Sequence, residues 1–244
     1  MSLLTIVQDV TDRLKNMPRP DMAGQSTDDT VRQIVALIND EGRDLAATYQ
    51  WNVLTRRVEK PAIYAPTSAD NPASDQGAVE DLAPGFLYII NQTLWLANQP
   101  FRLLGPLGPQ SRTGMEAWKL QGAVWYYWIE DGHLWVSRPT SPEQSLLFRY
   151  QSRYWVKKAD GTVTDTMRND SDTSLLPERC IMLGAVWRWL QRNGLPYQQD
   201  YLAYQQAVSQ YAARDGTRPV LEAGAQVNPY NPQNSIIGGV MTVR

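Results

Sequence analysis

Helical spacing of apolar residues at both ends of the chain, with a strand-like section between them, constrains the fold more than any other feature. Near the N-terminus an apolar stripe recurs at intervals of mostly three and four residues, on Leu3, Ile6, Val7, Val10 and Leu14. Ser2 can cap this helix. The run from Met17 to Pro20 must end it, because proline lacks an amide donor and disfavours helix in the residue before it.

A second N-terminal helix is predicted to follow and to end near Trp51. Ser26 and Thr27 are its candidate caps, with Asp28 and Asp29 in the first turn, where carboxylates complement the helix dipole. Gly42 weakens the middle of this helix. The buried face is predicted to consist of Val31, Ile34, Val35, Ile38 and Leu45.

Two further helices are predicted near the C-terminal end. Pro177 suits the start of the first, and Asn193-Gly194 suits its end. One face carries Cys180, Leu183, Gly184, Trp187 and Leu190, of which we expect Leu183, Trp187 and Leu190 in the bundle core. Pro196 opens the second helix, whose tyrosines share one seam at Tyr197, Tyr201, Tyr204 and Tyr211. Because the link between them is short, these helices form an antiparallel hairpin.

The middle of the chain shows strand and turn signals instead. The strongest is a hairpin in which aromatic and β-branched residues flank the turn Glu130-Asp131-Gly132. Other strands are predicted at Val53–Lys60, Phe86–Ile90, Thr93–Leu96 and Ser145–Val156, and a short helix within Gly108–Gly122. These strands indicate a small antiparallel sandwich or barrel.

The predicted fold class is therefore α+β, a four-helix bundle with an inserted antiparallel β-rich domain and an extended C-terminal arm. The bundle takes residues 1–52 and 172–215, and the insertion takes residues 53–171. Within the insertion, residues 61–84 read as a long loop rich in Pro, Ala, Ser and Asp, of a kind that is usually functional or mobile.

Residues 216–244 have no helical or strand period and are predicted to be an extended arm. Ordering about 30 residues costs on the order of 30 kcal/mol. Offsetting this cost by burial alone takes on the order of 1,200 Å² of apolar surface. Because such a segment cannot bury that much against itself, we expect it to dock on another protein, a floppy or self-packed tail being the alternative. The predicted contact residues are Asn228, Tyr230, Ile236, Ile237, Val240, Met241 and Val243.

Composition and motifs exclude several classes of function. With 23 Lys+Arg against 25 Asp+Glu and a net charge of −2, the chain lacks the basic excess of proteins that coat nucleic acid. Only one cysteine, Cys180, and one histidine, His133, are present, and neither belongs to a catalytic or zinc-binding pattern. The aspartates at 160, 165, 170 and 172 lack the order of a calcium loop and are interpreted as a solvated loop. We therefore expect no catalytic residue, cofactor or metal, and no enzyme.

Segments for targeting or membrane insertion are not predicted either. The most apolar stretch, Phe86 to Leu96, is broken by Asn91, Gln92 and Thr93, whereas a spanning helix needs about 20 apolar residues. The first 15 residues contain Asp9 and Asp12 where a signal peptide has an apolar core. Folding in a reducing cytosol is the expectation.

Two aromatic features leave alternatives open. Trp125, Trp128 and Trp135 on the hairpin could stack sugar rings or bases, although Trp125 and Trp128 differ by three and point to opposite faces of a strand. A carbohydrate-binding virion or surface protein is therefore the alternative function, and a cell-wall hydrolase is a further one that no acid/base pair suggests. The tyrosine seam is either bundle core or an intersubunit face, since tyrosine is favoured at interfaces.

Five stretches, in this order along residues 2–216, resemble the head–tail adaptor (connector) proteins of tailed bacteriophages, the group that includes the tail tubular protein A of short-tailed phages. They are SLLTIVQDVTDRL, STDDTVRQIVALINDEGRDLAATYQW, RLLGPLGPQ, LLFRYQSRYWVKKADG and LLPERCIMLGAVWRWLQRNGLPYQQDYLAYQQAVSQYAARDG. None is a catalytic signature, so the resemblance depends on their order. The loop at 61–84 and the segment after Gly216 depart from the family pattern.

The resemblance implies a bundle with a β-rich insertion, arranged as a ring of twelve copies under the portal at the head–tail junction of the virion. Such a ring extends the channel through which genomic DNA passes without sequence-specific binding, and it receives a tail tube or nozzle protein. Assembly in the host cytoplasm and no membrane contact are expected. The C-terminal arm is then expected to dock on the portal.

Overall fold

A computed structural model describes residues 1–14, 17–61, 63–64, 77–79, 82–97, 99, 102–118, 124–137 and 145–215 of the 244. In this part of the chain the fold is mixed α+β, which confirms the predicted class. Its helices are α1 (Leu3–Arg13), α2 (Asp29–Thr48), α3 (Pro109–Trp118), α4 (Glu178–Arg192) and α5 (Gln198–Asp215). None of the described helices is long and apolar enough to cross a membrane.

Helices from both ends of the chain pack together, with α4 in contact with α1, α2 and α5. Their apolar faces join in one buried core, because each stripe at helical spacing must be covered by another element. Residues with at most 1% exposure in this core include Leu3, Ile6, Ile34, Ile38, Leu45, Cys180, Ile181 and Leu183. The predicted stripes of α1 and α2 thus lie inside the bundle, except that Val35 is only partly buried.

The two N-terminal helices begin with side-chain caps. Ser2 caps α1, as predicted, by accepting a hydrogen bond from the Thr5 amide at 3.4 Å. The caps predicted for α2 are wrong, because Asp28 occupies that position and accepts from the Thr30 amide at 2.8 Å. Ser26 instead accepts from the Asp28 amide at 3.2 Å, which forms a turn before the helix. A carboxylate also complements the positive end of the helix dipole better than a hydroxyl.

Gly42 lies in the middle of α2 because the bundle packs too tightly there for a side chain. A Cβ at this position would lie 2.1 Å from Cζ2 of the fully buried Trp155. The Trp155 indole donates to the Asp165 carbonyl at 3.0 Å, so the ring is held in place. The helical cost of this glycine is thus offset by close packing against a large aromatic ring.

The β-rich region contains two four-stranded antiparallel sheets. The strands of the first sheet are β1 (Thr55–Lys60), β4 (Phe86–Ile89), β5 (Trp95–Leu96) and β8 (Leu146–Ser152). Those of the second are β2 (Ile63–Tyr64), β3 (Gly77–Val79), β6 (Tyr127–Glu130) and β7 (His133–Val136). The first sheet has the order β1–β8–β4, with β5 also paired to β8, and the second has the order β2–β3–β7–β6. Both sheets contribute to one shared core, as in a small sandwich.

The β6–β7 hairpin confirms the strongest strand prediction. Its turn residues Asp131 and Gly132 have φ angles of +50° and +77°, as the type I′ turn of a two-residue hairpin requires. Helix α3 likewise lies within the predicted range 108–122.

A short three-stranded sheet connects the two regions and consists of β9 (Val156–Lys157), β10 (Val163–Thr164) and β11 (Thr173–Ser174). The sequence pattern predicts that residues up to 171 belong to the β-rich insertion. Trp155, Val156 and Met167 nevertheless lie in the helical core. Asn39 of α2 binds this segment through both polar atoms: its amide donates to the Met167 carbonyl, and its oxygen accepts from the Met167 amide.

Candidate functional site

The helical hairpin α4–α5 brings together the tyrosines that the sequence singled out. Gly194, with a φ of +68°, ends α4, and α5 returns antiparallel along it. Tyr197, Tyr201 and Tyr204 surround the ring of Trp187, with centroid distances of 6.3, 5.1 and 6.0 Å. Of the three predicted core residues, Leu183 lies in the core, whereas Leu190 is only partly buried against it. The prediction is wrong for Trp187, because its ring is half-buried between α4 and α5.

Tyr211 lies apart from these rings, at the other end of α5. It lines a cleft of about 310 Å³ between α1, α4 and α5. The other residues that line the cleft are Met1, Ile6, Asp9, Glu178, Arg179 and Met182. All four tyrosines keep partial exposure, and an intersubunit role for them stays a prediction.

A buried ion pair locks α2 to α4 beside the aromatic cluster. Glu41 is fully buried, and its Oε2 accepts a hydrogen bond from Nε of Arg188 at 2.8 Å. Nη2 of Arg188 also donates to Asp44 at 2.6 Å, and the guanidinium lies 5.1 Å from the Trp187 ring centroid. Glu41 packs directly on Gly184, where a Cβ would lie 2.3 Å from the carboxylate carbon. The Glu41–Arg188 pair therefore requires glycine at position 184. The sequence predicts that Gly184 lies on the buried face of α4, but it does not predict this role.

Burial controls the ionisation of the groups around this pair. Loss of hydration raises the pKa of Glu41, while Tyr204 and Arg188 act in the opposite direction. Burial and the neighbouring Glu41 carboxylate also raise the pKa of Tyr204. The same two causes raise the pKa of the Cys180 thiol to about 12. Cys180 therefore stays protonated at neutral pH, and a thiol in that state is a poor nucleophile.

The aspartates of the loop before α4 bind backbone amides. Asp170 Oδ1 accepts from the amides of Ala23 and Gly24 at 2.9 and 2.7 Å, and so holds the α1–α2 connection. Asp172 is only 1% exposed, so the interpretation of these aspartates as a solvated loop is wrong for this residue. Its Oδ2 accepts from the Arg168 and Asn169 amides at 2.8 and 2.9 Å. Asp160 and Asp165 bind threonines within the same loop. In the described part of the chain, no group of three or more His, Cys, Asp or Glu residues could hold a metal ion.

The tryptophans of the hairpin are engaged within the β-rich domain. Trp128 and Trp135 face each other across the strands, with ring centroids 6.5 Å apart and planes 4° apart. Trp128 is only 3% exposed and also has the Arg112 guanidinium 5.4 Å from its ring centroid. Trp125 packs partly buried against the β-rich core. Of the three, Trp128 therefore offers no open platform for a sugar ring, and carbohydrate binding stays an untested prediction.

The outer surface of α5 lacks charge over a long stretch. From Tyr201 to Ala213 the helix contains no Asp, Glu, Lys or Arg, although these make up 20% of the whole chain. Its exposed positions include Leu202, Gln205, Gln206, Ser209 and Gln210, and Leu202 is 57% exposed. Solvent-facing helix surfaces normally carry charged residues, whereas the centres of protein interfaces are depleted of them.

The predicted arm residues Asn228, Tyr230, Ile236, Ile237, Val240, Met241 and Val243 lie outside the described residues, as does most of the segment 61–84. The prediction of 61–84 as a loop is wrong in its described part, because β2 and β3 lie there and pair with each other. The last described residue of α5, Asp215, is tied to the start of the β-rich region. Its carboxylate accepts from the Asn52 amide at 2.6 Å, and its carbonyl accepts from the Asn52 side chain.

No protein-family model matches this sequence, and neither does any curated protein.

Proposed function

We propose that the protein is a structural component of a phage virion, a head–tail adaptor that assembles as a ring under the portal and attaches the tail. The observation that carries the proposal is the architecture: helices from both ends of the chain form one bundle, and the chain between them forms a β-rich insertion. This is the arrangement that the resemblance to phage adaptors implies. The buried Glu41–Arg188 pair and the close packing at Gly42 give the rigid body that a ring subunit needs.

The uncharged surface of α5 is the proposed contact between neighbouring subunits. Its exposed residues, between Tyr201 and Ala213, are glutamine, serine, alanine and leucine, which cost little to desolvate compared with charged side chains. The partly exposed tyrosines at 197, 201 and 204 border this surface and supply aromatic area, which is enriched at interfaces. The portal contact is assigned to the C-terminal arm, residues 216–244, on the sequence pattern alone.

A pair of matched substitutions tests the subunit contact. Gln206→Arg introduces a charge at the centre of the α5 surface, and it should reduce ring assembly on the portal in co-expression and sedimentation experiments. Gln33→Arg makes the same change on the exposed face of α2 and should leave assembly unchanged. Equal assembly of both variants would refute the assignment of α5.

Deletion of residues 228–244 tests the portal contact separately. The variant should keep the circular dichroism spectrum and melting temperature of the intact chain, and it should no longer co-sediment with the portal. Co-sedimentation with unchanged affinity would show that the arm does not hold the portal.

A further inference from the structure

The outer face of the β1–β8–β4 sheet carries arginines in register. Along β8 the even-numbered side chains of Leu146, Phe148 and Tyr150 are buried in the sandwich, while Arg149 between them is exposed. The antiparallel pairing of β1 with β8 sets Arg57 directly opposite Arg149. The Arg57 side chain is 61% exposed, so both guanidinium groups reach solvent on the same face.

Two like charges directly opposite each other destabilise a strand pair, because their Cβ atoms lie only about 5 Å apart. One carboxylate compensates this opposition in part, since Arg57 lies 3.3 Å from Glu59 Oε2. In the described part of the chain, no acidic side chain forms an ion pair with Arg149. The face therefore retains an excess of positive charge that its own residues do not neutralise.

A third arginine extends this face. Trp95 of β5 pairs with Leu147 of β8 on one side and with Arg102 on the other, so the three residues form one row across the sheet. Trp95 is partly exposed, whereas its neighbours Leu94 and Leu96 are buried. Arg102 is steadied by a 3.3 Å hydrogen bond to Gln92 Oε1.

These three cations are all arginine, whose planar guanidinium donates two parallel hydrogen bonds to phosphate oxygens. The face has one partly exposed indole, that of Trp95. A groove that binds single-stranded DNA needs several aromatic rings on which successive bases stack, so this face does not suit a single strand. We infer that the face formed by Arg57, Arg102 and Arg149 binds the phosphate backbone of duplex DNA without reading its sequence. The local excess of charge allows this contact although the whole chain has a net charge of −2. The inference deepens the proposed function, on which it rests, by naming a surface that contacts DNA in the ring's channel.

Salt dependence of DNA binding tests the inference on the full-length chain alone. Fluorescence anisotropy of a labelled 24-base-pair duplex of random sequence is measured from 20 to 200 mM NaCl. Neutralisation of three phosphates predicts a slope near −2.7 for log K against log salt. In Arg57→Gln/Arg149→Gln the slope should become shallower by about 1.8, and affinity at 20 mM NaCl should fall at least tenfold.

Arg192→Gln, which removes an exposed arginine from the end of α4, is the matched control and should bind like the unchanged chain. The double variant removes the like-charge opposition of Arg57 and Arg149, so its melting temperature should not fall, which excludes misfolding as the cause of weaker binding. The inference is overturned if the unchanged chain shows no salt-dependent duplex binding at 100 µM, if the double variant keeps the slope, or if the control loses as much. Binding confined to a single strand of the same length would overturn the duplex assignment. The DNA-binding assay contains no portal, so its outcome does not depend on assembly. If the chain binds DNA through these arginines but does not assemble on a portal, only the adaptor proposal is refuted.

Discussion

Removal of Arg188 tests the buried ion pair between α2 and α4. Arg188→Met keeps a long apolar stem but leaves the fully buried Glu41 carboxylate without its cation. Breaking a buried pair in this way costs about 3–5 kcal/mol. For a chain of this size, such a loss lowers the melting temperature by roughly 10 °C. The exposed partner Asp44, whose side chain is 60% exposed, adds little to this cost.

The loss should depend on pH in a defined direction. Burial raises the pKa of Glu41 above its ordinary 4.5, and Arg188 opposes this rise, so the pKa rises further without the arginine. A carboxyl group with a raised pKa in the folded state contributes stability below its ordinary pKa, and that contribution is lost as pH rises through the folded pKa. The deficit of Arg188→Met should therefore be larger at pH 8 than at pH 5.

Urea denaturation followed by tryptophan fluorescence measures this deficit at both pH values. Glu41→Gln/Arg188→Met removes both charges, so it should recover part of the lost stability and lack the added pH dependence. If Arg188→Met were as stable as the unchanged chain at pH 8, or if its deficit did not change with pH, the role assigned to the pair would be refuted.

Two other predictions concern packing. Gly42→Ala forces a methyl group against the buried Trp155 ring and should lower the free energy of unfolding, measured by urea denaturation, by about 1–3 kcal/mol. The control Gly114→Ala in α3, where a Cβ meets nothing within 4 Å, should be neutral or stabilising. Equal effects of the two substitutions would contradict the close packing at Gly42. Trp187→Ala should cost about 1–3 kcal/mol, less than the loss of a fully buried tryptophan, because α4 and α5 lose their shared aromatic contact. Trp187→Phe should cost less, since it keeps a ring and removes an indole N–H that is buried without a hydrogen-bond partner among the described residues. Similar losses for both variants would show that the ring contacts contribute little.

The sequence predicted the elements that depend on local pattern. The apolar stripe of α1 and the Asp131-Gly132 turn are strong short-range signals, and both lie where they were predicted. The cap of α2 was misplaced by one or two residues, because Ser26, Thr27 and Asp28 all suit a cap and only the path of the entering chain chooses between them.

Contacts between segments that are far apart in the sequence could not be predicted from local residue patterns. From the sequence alone, Gly42 is predicted only to weaken α2. Its role in packing depends on Trp155, which lies more than 100 residues later in the chain. Trp187 has the spacing of a core residue, yet the direction of the returning α5 puts it among tyrosines instead. The opposition of Arg57 and Arg149 exists only because of strand register, which alternation within either strand does not specify.

Mass photometry of the purified chain mixed with the portal that it is proposed to join tests the adaptor proposal itself. Twelve chains of 27.6 kDa should add about 330 kDa to the portal in one discrete step, with few partly filled rings. A portal that keeps its own mass at saturating concentrations of a folded chain would contradict the proposed function.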